Sequence, residues 1–198
     1  MNNREPISLV PGIPDDLFVR GNVPMTKAEV RAILISKLRL RSGSVVWDVG
    51  AGTGSISVEA ALASPENKVY AVEYRPEAVE LIRANRAKFG AENLEVVMGK
   101  APEALLNLPS PDRVVIGGSG GKLSSILDVV KCRLPSGGIV VLTCVTVQTL
   151  YQALDYLSKK GVNQLEGVGI SVTRLQPQGR YHMFQSLNPV FIVSGIQP

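Results

Sequence analysis

One stretch constrains the fold more than any other: V-W-D-V-G-A-G-T-G-S-I-S-V-E-A, Val46 to Ala60. An apolar run carries an acid near its end, Asp48, and three glycines follow at alternate positions, Gly50, Gly52 and Gly54. Small residues at helical spacing come next. A buried strand, a turn whose glycines permit φ > 0, and a helix opening directly after it are the parts of a βα unit. In an open parallel sheet, ligands bind at such a turn, beyond the carboxyl ends of the strands. The helix start adds unpaired N–H groups and a partial positive charge. The spacing narrows the ligand. The dinucleotide fingerprint G-x-G-x-x-G would need glycine where Ser55 stands, and no lysine follows as the phosphate-binding G-x-x-x-x-G-K-[ST] requires. A tight structural turn would account for G-x-G-x-G by itself.

The rest of the chain repeats the unit. Thr26 followed by Glu29 reads as a capping box and predicts a helix over 26–40. Strands are expected at Val45–Val49, Val69–Glu73, Leu94–Met98, Arg113–Ile116 and Ile139–Cys144. Helices are expected over 54–63, from Pro76 to Gly90, over 102–107, after the Gly117–Gly121 loop to about Cys132, and from Val147 to Gly161. Val168–Leu175 and Val190–Ser194 read as two strands joined by a polar loop with no helix between them. The implied fold is α/β: a mostly parallel seven-stranded sheet with an antiparallel edge strand and helices on both faces. We expect a single domain over 1–198. Its first 25 residues, broken by Pro6, Pro11, Gly12, Pro14, Gly21 and Pro24, read as an extended arm.

Of the 198 residues, 45% are apolar and 19% charged, a composition that buries a core. No apolar run approaches the ~20 residues of a membrane span, and the start lacks a basic n-region followed by an apolar h-region, so secretion is not expected. The two cysteines, Cys132 and Cys144, match no zinc spacing, so a cytoplasmic protein with reduced thiols and no metal site is expected. The net charge of +4 comes without a run of five basic residues, and aromatics are only 5%. That argues against an extended nucleic-acid surface, and no membrane partner is expected.

Read in order, D-x-G-x-G-x-G after the first strand, Glu73 at the end of the second and V-M-G-K-A-P-E (Val97–Glu103) after the third resemble the class I methyltransferases that use S-adenosylmethionine. Glu73 lies 19 positions beyond Gly54, where a carboxylate can accept both ribose hydroxyls. The resemblance implies a Rossmann-like fold. It implies that Gly50, Ala51, Gly52, Thr53 and Gly54 pass under the methionine part of the cofactor. Asp48 would face the amino acid moiety, directly or through water, and the Ala101 backbone would meet adenine. Lys100 departs from the pattern, standing where an acid is common.

Gly12–Ala32 (G-I-P-D-D-L-F-V-R-G-N-V-P-M-T-K-A-E-V-R-A), Val115–Gly121 (V-I-G-G-S-G-G) and Leu187–Val193 (L-N-P-V-F-I-V) narrow this further. They resemble the decarboxylating C15-methyltransferases of cobalamin biosynthesis, of the precorrin-6Y and cobalt-precorrin-6B type. The resemblance spans nearly the whole chain. It implies an anionic tetrapyrrole substrate that gains a methyl group at carbon 15 and loses an acetate carboxyl, and a homo-oligomer, a tetramer. Arg20, Lys27, Lys122, Arg174 and Arg180 are then expected to reach the rim and meet carboxylates. Gly118, Ser119 and Gly120 would let a flat macrocycle approach. Thr26 has two readings, helix cap and cofactor contact. His182, the only histidine, is expected as an ordinary residue in the loop between the last two strands, and Asn188–Phe191 as structural. The alternative is a tRNA methyltransferase, favoured by the basic charge balance.

Overall fold

The computed structural model describes residues 11–198; the start of the expected arm, Pro6 included, lies outside them. Five strands run parallel, β1 (Val45–Val49), β2 (Lys68–Glu73), β3 (Leu94–Met98), β4 (Arg113–Ile116) and β5 (Ile139–Cys144). Five helices, α1 (Ala28–Leu38), α2 (Ser55–Leu62), α3 (Pro76–Phe89), α4 (Leu123–Arg133) and α5 (Val147–Lys159), alternate with them. The last four strands are β6 (Asn163–Ile170), β7 (Thr173–Gln178), β8 (Tyr181–Ser186) and β9 (Val190–Ile196). The main sheet has the order β3-β2-β1-β4-β5-β9-β6, and β7 pairs with β8 alone. The reversal of order on either side of β1 places a switch point there, over the glycine turn.

Strand alternation sorts the core onto two faces. Val46, Val69, Val115 and Val141 pack with Leu34 of α1, Ile56 and Val58 of α2 and Ile82 of α3. Trp47, Val49, Val114 and Val140 pack on the opposite side with Leu127 of α4 and Ala153 and Leu157 of α5. Strands covered on both faces carry near-continuous apolar runs, which is why β1, β4 and β5 read so plainly.

The reversed strand is β9, and it lies one strand in from the edge. It pairs antiparallel with β5 on one side and β6 on the other. Its Ile192, Val193, Ser194 and Gly195 are buried, whereas β6 holds the edge with no buried residue. The polar connection before β9 is a hairpin, β7–β8, and His182 stands on β8, not in a loop. Helix α1 starts at Ala28 with Lys27 as cap, and no side chain caps it. Thr26 instead offers its carbonyl to the Arg31 side chain, and Glu29 is taken by Arg174, so the capping box does not form. The expected 102–107 helix contracts to a 3-10 turn, Glu103–Leu105.

From residue 11 the arm is packed onto the body. Ile13, Phe18 and Val23 are buried, and the Phe18 ring sits 4.8 Å from that of Phe89 in α3. Among the described residues no helix is long and apolar enough to cross a membrane.

Candidate active site

A cavity of about 610 Å³ opens over the carboxyl ends of β1 to β5, within the range of small-molecule sites. Four elements of the expected cofactor site line it: the turn Gly50, Ala51, Gly52 and Thr53, then Glu73, Ala101 and Thr26. Gly118, Ser119, Gly120 and Lys122, from the loop after β4, also line it, and Lys27 lines it beside Thr26. Lys27, Arg75, Lys100 and Lys122 give the wall four cations against one carboxylate, Glu73.

The glycine turn is shaped by the protein itself. Gly50 has φ of 71°, and a Cβ on it would stand 2.5 Å from the carbonyl oxygen of Gly118. The two loops after β1 and β4 therefore touch backbone to backbone, and Gly117 and Gly118 both donate to the Val49 carbonyl. Gly54, with φ of 75°, packs on α3, where a Cβ would lie 2.9 Å from Ile82 Cγ2. Gly54 thus sets the approach of α2 to α3 and does not line the cavity.

Glu73 is buried and already organised. Its Oε1 accepts the backbone N–H groups of Tyr74 (2.9 Å) and Arg75 (3.1 Å), and its Oε2 accepts that of Gly52 (3.0 Å). The Arg75 guanidinium lies 3.3 Å from Oε1 and 3.5 Å from Oε2. Burial pushes the Glu73 carboxyl up, but Arg75 and the N–H groups of Arg75 and Gly52 outweigh it and hold the group below the usual carboxylate range. The group is an anion on the cavity wall.

Asp48 lies beneath the turn, fully buried and outside the lining. The Ser57 hydroxyl donates to Oδ2 at 2.5 Å, while Oδ1 has no partner. Burial pushes Asp48 up to about 6, against the Ser57 hydrogen bond, and the Glu73 charge adds to the rise. Thr53 Oγ1 is also buried without a partner. Asp48 Oδ1 and Thr53 Oγ1 are thus two buried oxygens without a partner at the end of β1 and in the turn that follows it.

Several expected rim residues lie elsewhere. Arg20 is exposed on the arm and outside the cavity, because its neighbours run along α3. Val19 is held there by Asn85, and a Cβ on Gly21 would meet Leu81 at 3.5 Å. Arg174 stands on β7 and is spent on Glu29 (2.7 Å) and Asp15 (3.3 Å). Arg180 sits at the tip of the β7–β8 hairpin over the Tyr181 ring, away from the sheet. His182 does not reach the cavity. Lys122 does, and pairs with Glu103 at 2.9 Å, holding that carboxyl below its usual range. Cys144 is buried, which pushes its thiol up to about 11 and disfavours the thiolate.

Other residues join the site without having been expected. Asn188 and Val190 line it because β9 enters antiparallel to β5, which brings Asn188 to the same rim as the β5 carboxyl end. Tyr74 and Arg75 were legible only as the two positions after Glu73. Among the described residues no His, Cys, Asp and Glu cluster could hold a metal.

A switch-point cavity over D-x-G-x-G-x-G, with an acid at the end of the second strand, defines a class I methyltransferase. The chain belongs to the precorrin methyltransferase family, whose domain model matches residues 16–196. It is 49% identical over 187 residues to a probable cobalt-precorrin-6B C(15)-methyltransferase (decarboxylating) of Pyrobaculum calidifontis, covering 93% of this chain and 95% of that one. It is 41% identical over 181 residues to the cobalt-precorrin-6B C(15)-methyltransferase (decarboxylating) of Salmonella typhimurium, covering 91% and 93%. The structure is similar to a precorrin-6y C5,15-methyltransferase of Geobacter metallireducens, with TM-score 0.90, 44% identity, and 94% and 98% of the two chains covered. A tRNA (m1A58) methyltransferase of Aquifex aeolicus, 16% identical with TM-score 0.76, shares the fold alone.

Proposed function

We propose that the chain, as one domain, methylates carbon 15 of cobalt-precorrin-6B from S-adenosylmethionine and removes an acetate carboxyl. The observation that carries this is the cavity: the Glu73 carboxylate beside the glycine turn, with four cations and the Gly118–Gly120 loop around them, in a chain of the precorrin methyltransferase family.

S-adenosylmethionine, when bound, supplies an electrophilic methyl group on a sulfonium sulfur. The chain's residues do the rest. Glu73 accepts the ribose hydroxyls, Ala101 meets the base, and Gly50–Thr53 form the floor beneath the methionine part. Thr26 closes that side as a cofactor contact. Asp48, set under the floor, supplies negative charge beneath a ligand whose sulfonium and ammonium outnumber its one carboxylate. Lys27, Lys100 and Lys122 meet acceptor carboxylates, and the bare backbone of Gly118 and Gly120 leaves room for a flat ring. A partly reduced tetrapyrrole is electron-rich at its meso carbons, so orientation and exclusion of water are the main contributions.

Mass spectrometry of the product formed from cobalt-precorrin-6B and methyl-labelled cofactor tests the proposal. A gain of one labelled methyl with loss of carbon dioxide is expected. Turnover on bulk tRNA, with none on the tetrapyrrole, would overturn it. Lys122→Ala is expected to raise KM for the tetrapyrrole roughly five-fold, the scale of a partly exposed charge pair of about 1 kcal/mol. Cofactor affinity should stay within two-fold by calorimetry.

We also infer a cytoplasmic homotetramer. The β7–β8 hairpin supports self-association, since it stands off the main sheet with Leu175, Tyr181, Met183 and Phe184 between 54% and 79% exposed. An exposed apolar strand pair of this kind is normally covered by a partner. Light scattering should give about four times the 21.2 kDa chain mass, and Phe184→Asp should lower it. A monomer in both cases would remove the inference.

A further inference from the structure

Two charged residues lie far inside the molecule and away from the cavity wall. Arg31 of α1 is fully buried and Glu59 of α2 is 4% exposed. Charge at such depth is costly unless every partner is in place, so what they hold is informative. Glu59 Oε1 accepts Arg31 Nε and the backbone N–H of Ile13 (2.9 Å), and Oε2 accepts the N–H of Gly12 (3.0 Å). Arg31 Nη2 donates to the Ile13 carbonyl, and Nη1 donates to the Thr26 carbonyl (2.6 Å) and to Asp15 (3.3 Å). The guanidinium also lies 4.7 Å over the Phe18 ring.

Every one of these outward contacts lands on the arm, at both its ends. Gly12 and Ile13 are caught where the described arm begins, Asp15 and Phe18 in its middle, and Thr26 where it meets α1. The arm in turn forms a side of the cavity: Pro24, Met25, Thr26 and Lys27 line it. The arm also touches the glycine turn, since a Cβ on Gly52 would meet the Pro24 carbonyl oxygen at 3.2 Å. The chain of contacts thus runs from the Arg31–Glu59 pair through Thr26 to the cofactor side of the cavity, with neither charge reaching the cavity itself.

We propose that Arg31 and Glu59 are positioning residues for the methyl donor: the buried pair clamps the arm so that residues 24–27 stand as a fixed wall of the cofactor site. The proposal rests on the reading of this cavity as the S-adenosylmethionine site. A planar guanidinium is required because one donor group must serve Glu59, two backbone carbonyls and Asp15 at once; a lysine ammonium cannot span them. Because the clamp and the ligand act on the same segment, each must strengthen the other.

The test uses S-adenosylhomocysteine as the probe and the intact protein. Arg31→Lys is expected to raise its Kd by calorimetry about ten-fold, a typical size for coupling between sites. Leu38→Ala, on the same helix and equally buried, serves as the stability control. It should lower Tm at least as far and leave Kd within two-fold. Hydrogen exchange on the unmodified protein keeps the proposal open to refutation even where Arg31→Lys does not fold. Saturating probe should slow exchange at the Gly12 and Ile13 amides, which the Glu59 carboxylate holds, while Val141 in the sheet centre is unaffected. Unchanged exchange at Gly12 and Ile13, or an equal loss of affinity in Leu38→Ala, overturns the clamp. Failure of the unmodified protein to bind the probe overturns the cofactor reading beneath it, and the two failures are distinct.

Discussion

Glu73→Ala should weaken S-adenosylmethionine binding at least one hundred-fold. Two charge-assisted hydrogen bonds to ribose hydroxyls are each worth about 1.5–3 kcal/mol, and either alone accounts for ten-fold or more. The structure adds a second loss. The same carboxylate holds the N–H groups of Gly52, Tyr74 and Arg75, and all three residues line the cavity. Alanine would release the glycine turn and leave those donors to be satisfied elsewhere, a penalty of about 1–3 kcal/mol each where water does not enter. Glu73→Gln separates the two effects. It keeps the shape and one accepting oxygen but sets an N–H₂ group against a backbone donor, so a loss of roughly ten-fold is expected. Arg75→Ala removes only the long contacts at 3.3 and 3.5 Å and should change Kd less than three-fold. Calorimetric titration of the three variants decides: an alanine variant within three-fold of the unmodified protein would remove Glu73 from the ribose site.

The contrast between Glu73 and the expected rim arginines shows what kind of information the sequence holds. Glu73 was legible because it sits at a strand end whose position the glycine turn dictates. Arg20, Arg174 and Arg180 carry the right charge, but charge does not report where a loop runs. Their placement follows from Asn85 holding the arm along α3, and from a hairpin that leaves the sheet. That hairpin was missed for a related reason. Every residue of β8 is exposed, so the half-buried alternation that betrays a strand never forms. The five parallel strands were readable because both their faces are covered. The glycines were legible as a turn between strand and helix, yet Gly50 and Gly54 answer to Gly118 and Ile82, contacts far apart in sequence. Arg31 and Glu59 did leave a trace. Glu59 interrupts S-I-S-V-E-A-A-L, and Arg31 adjoins the apolar stripe of Val30, Leu34, Ile35 and Leu38. A charge inside an otherwise apolar helix face demands a partner.

Asp48→Asn is expected to gain stability relative to the unmodified, cofactor-free protein between pH 4 and pH 8 while weakening the hold on the cofactor. The aspartate is fully buried, accepts one hydroxyl hydrogen bond on Oδ2, has no partner on Oδ1, and is pushed up to about 6. An unfolded chain returns it to about 3.9. Between those values the folded state binds more protons than the unfolded one, so stability falls as pH rises from about 4 to 6. Above 6 the whole cost is present, on the order of 3 kcal/mol. Asparagine keeps an oxygen for Ser57 and carries no charge, so it avoids that cost, but it buries an N–H₂ group where Oδ1 has no partner, which costs about 1–3 kcal/mol at every pH. For a chain of this size the Tm of Asp48→Asn relative to the unmodified protein should therefore rise by roughly 6–12 °C between pH 4 and pH 8. Binding should move the other way. The ligand's cationic sulfonium and ammonium favour the ionised form, so affinity in the unmodified protein should fall below pH 6, and in Asp48→Asn it should be about ten-fold weaker and lose that pH dependence. Thermal unfolding of both proteins across pH 4–8, with and without S-adenosylmethionine, measures the two effects together, and S-adenosylhomocysteine, which lacks the sulfonium charge, should show a smaller pH dependence. Parallel Tm profiles for the two proteins would show that Asp48 titrates normally, and the argument from its burial would fall. That relative rise in Tm with undiminished affinity would show that the buried charge serves neither the fold nor the methyl donor.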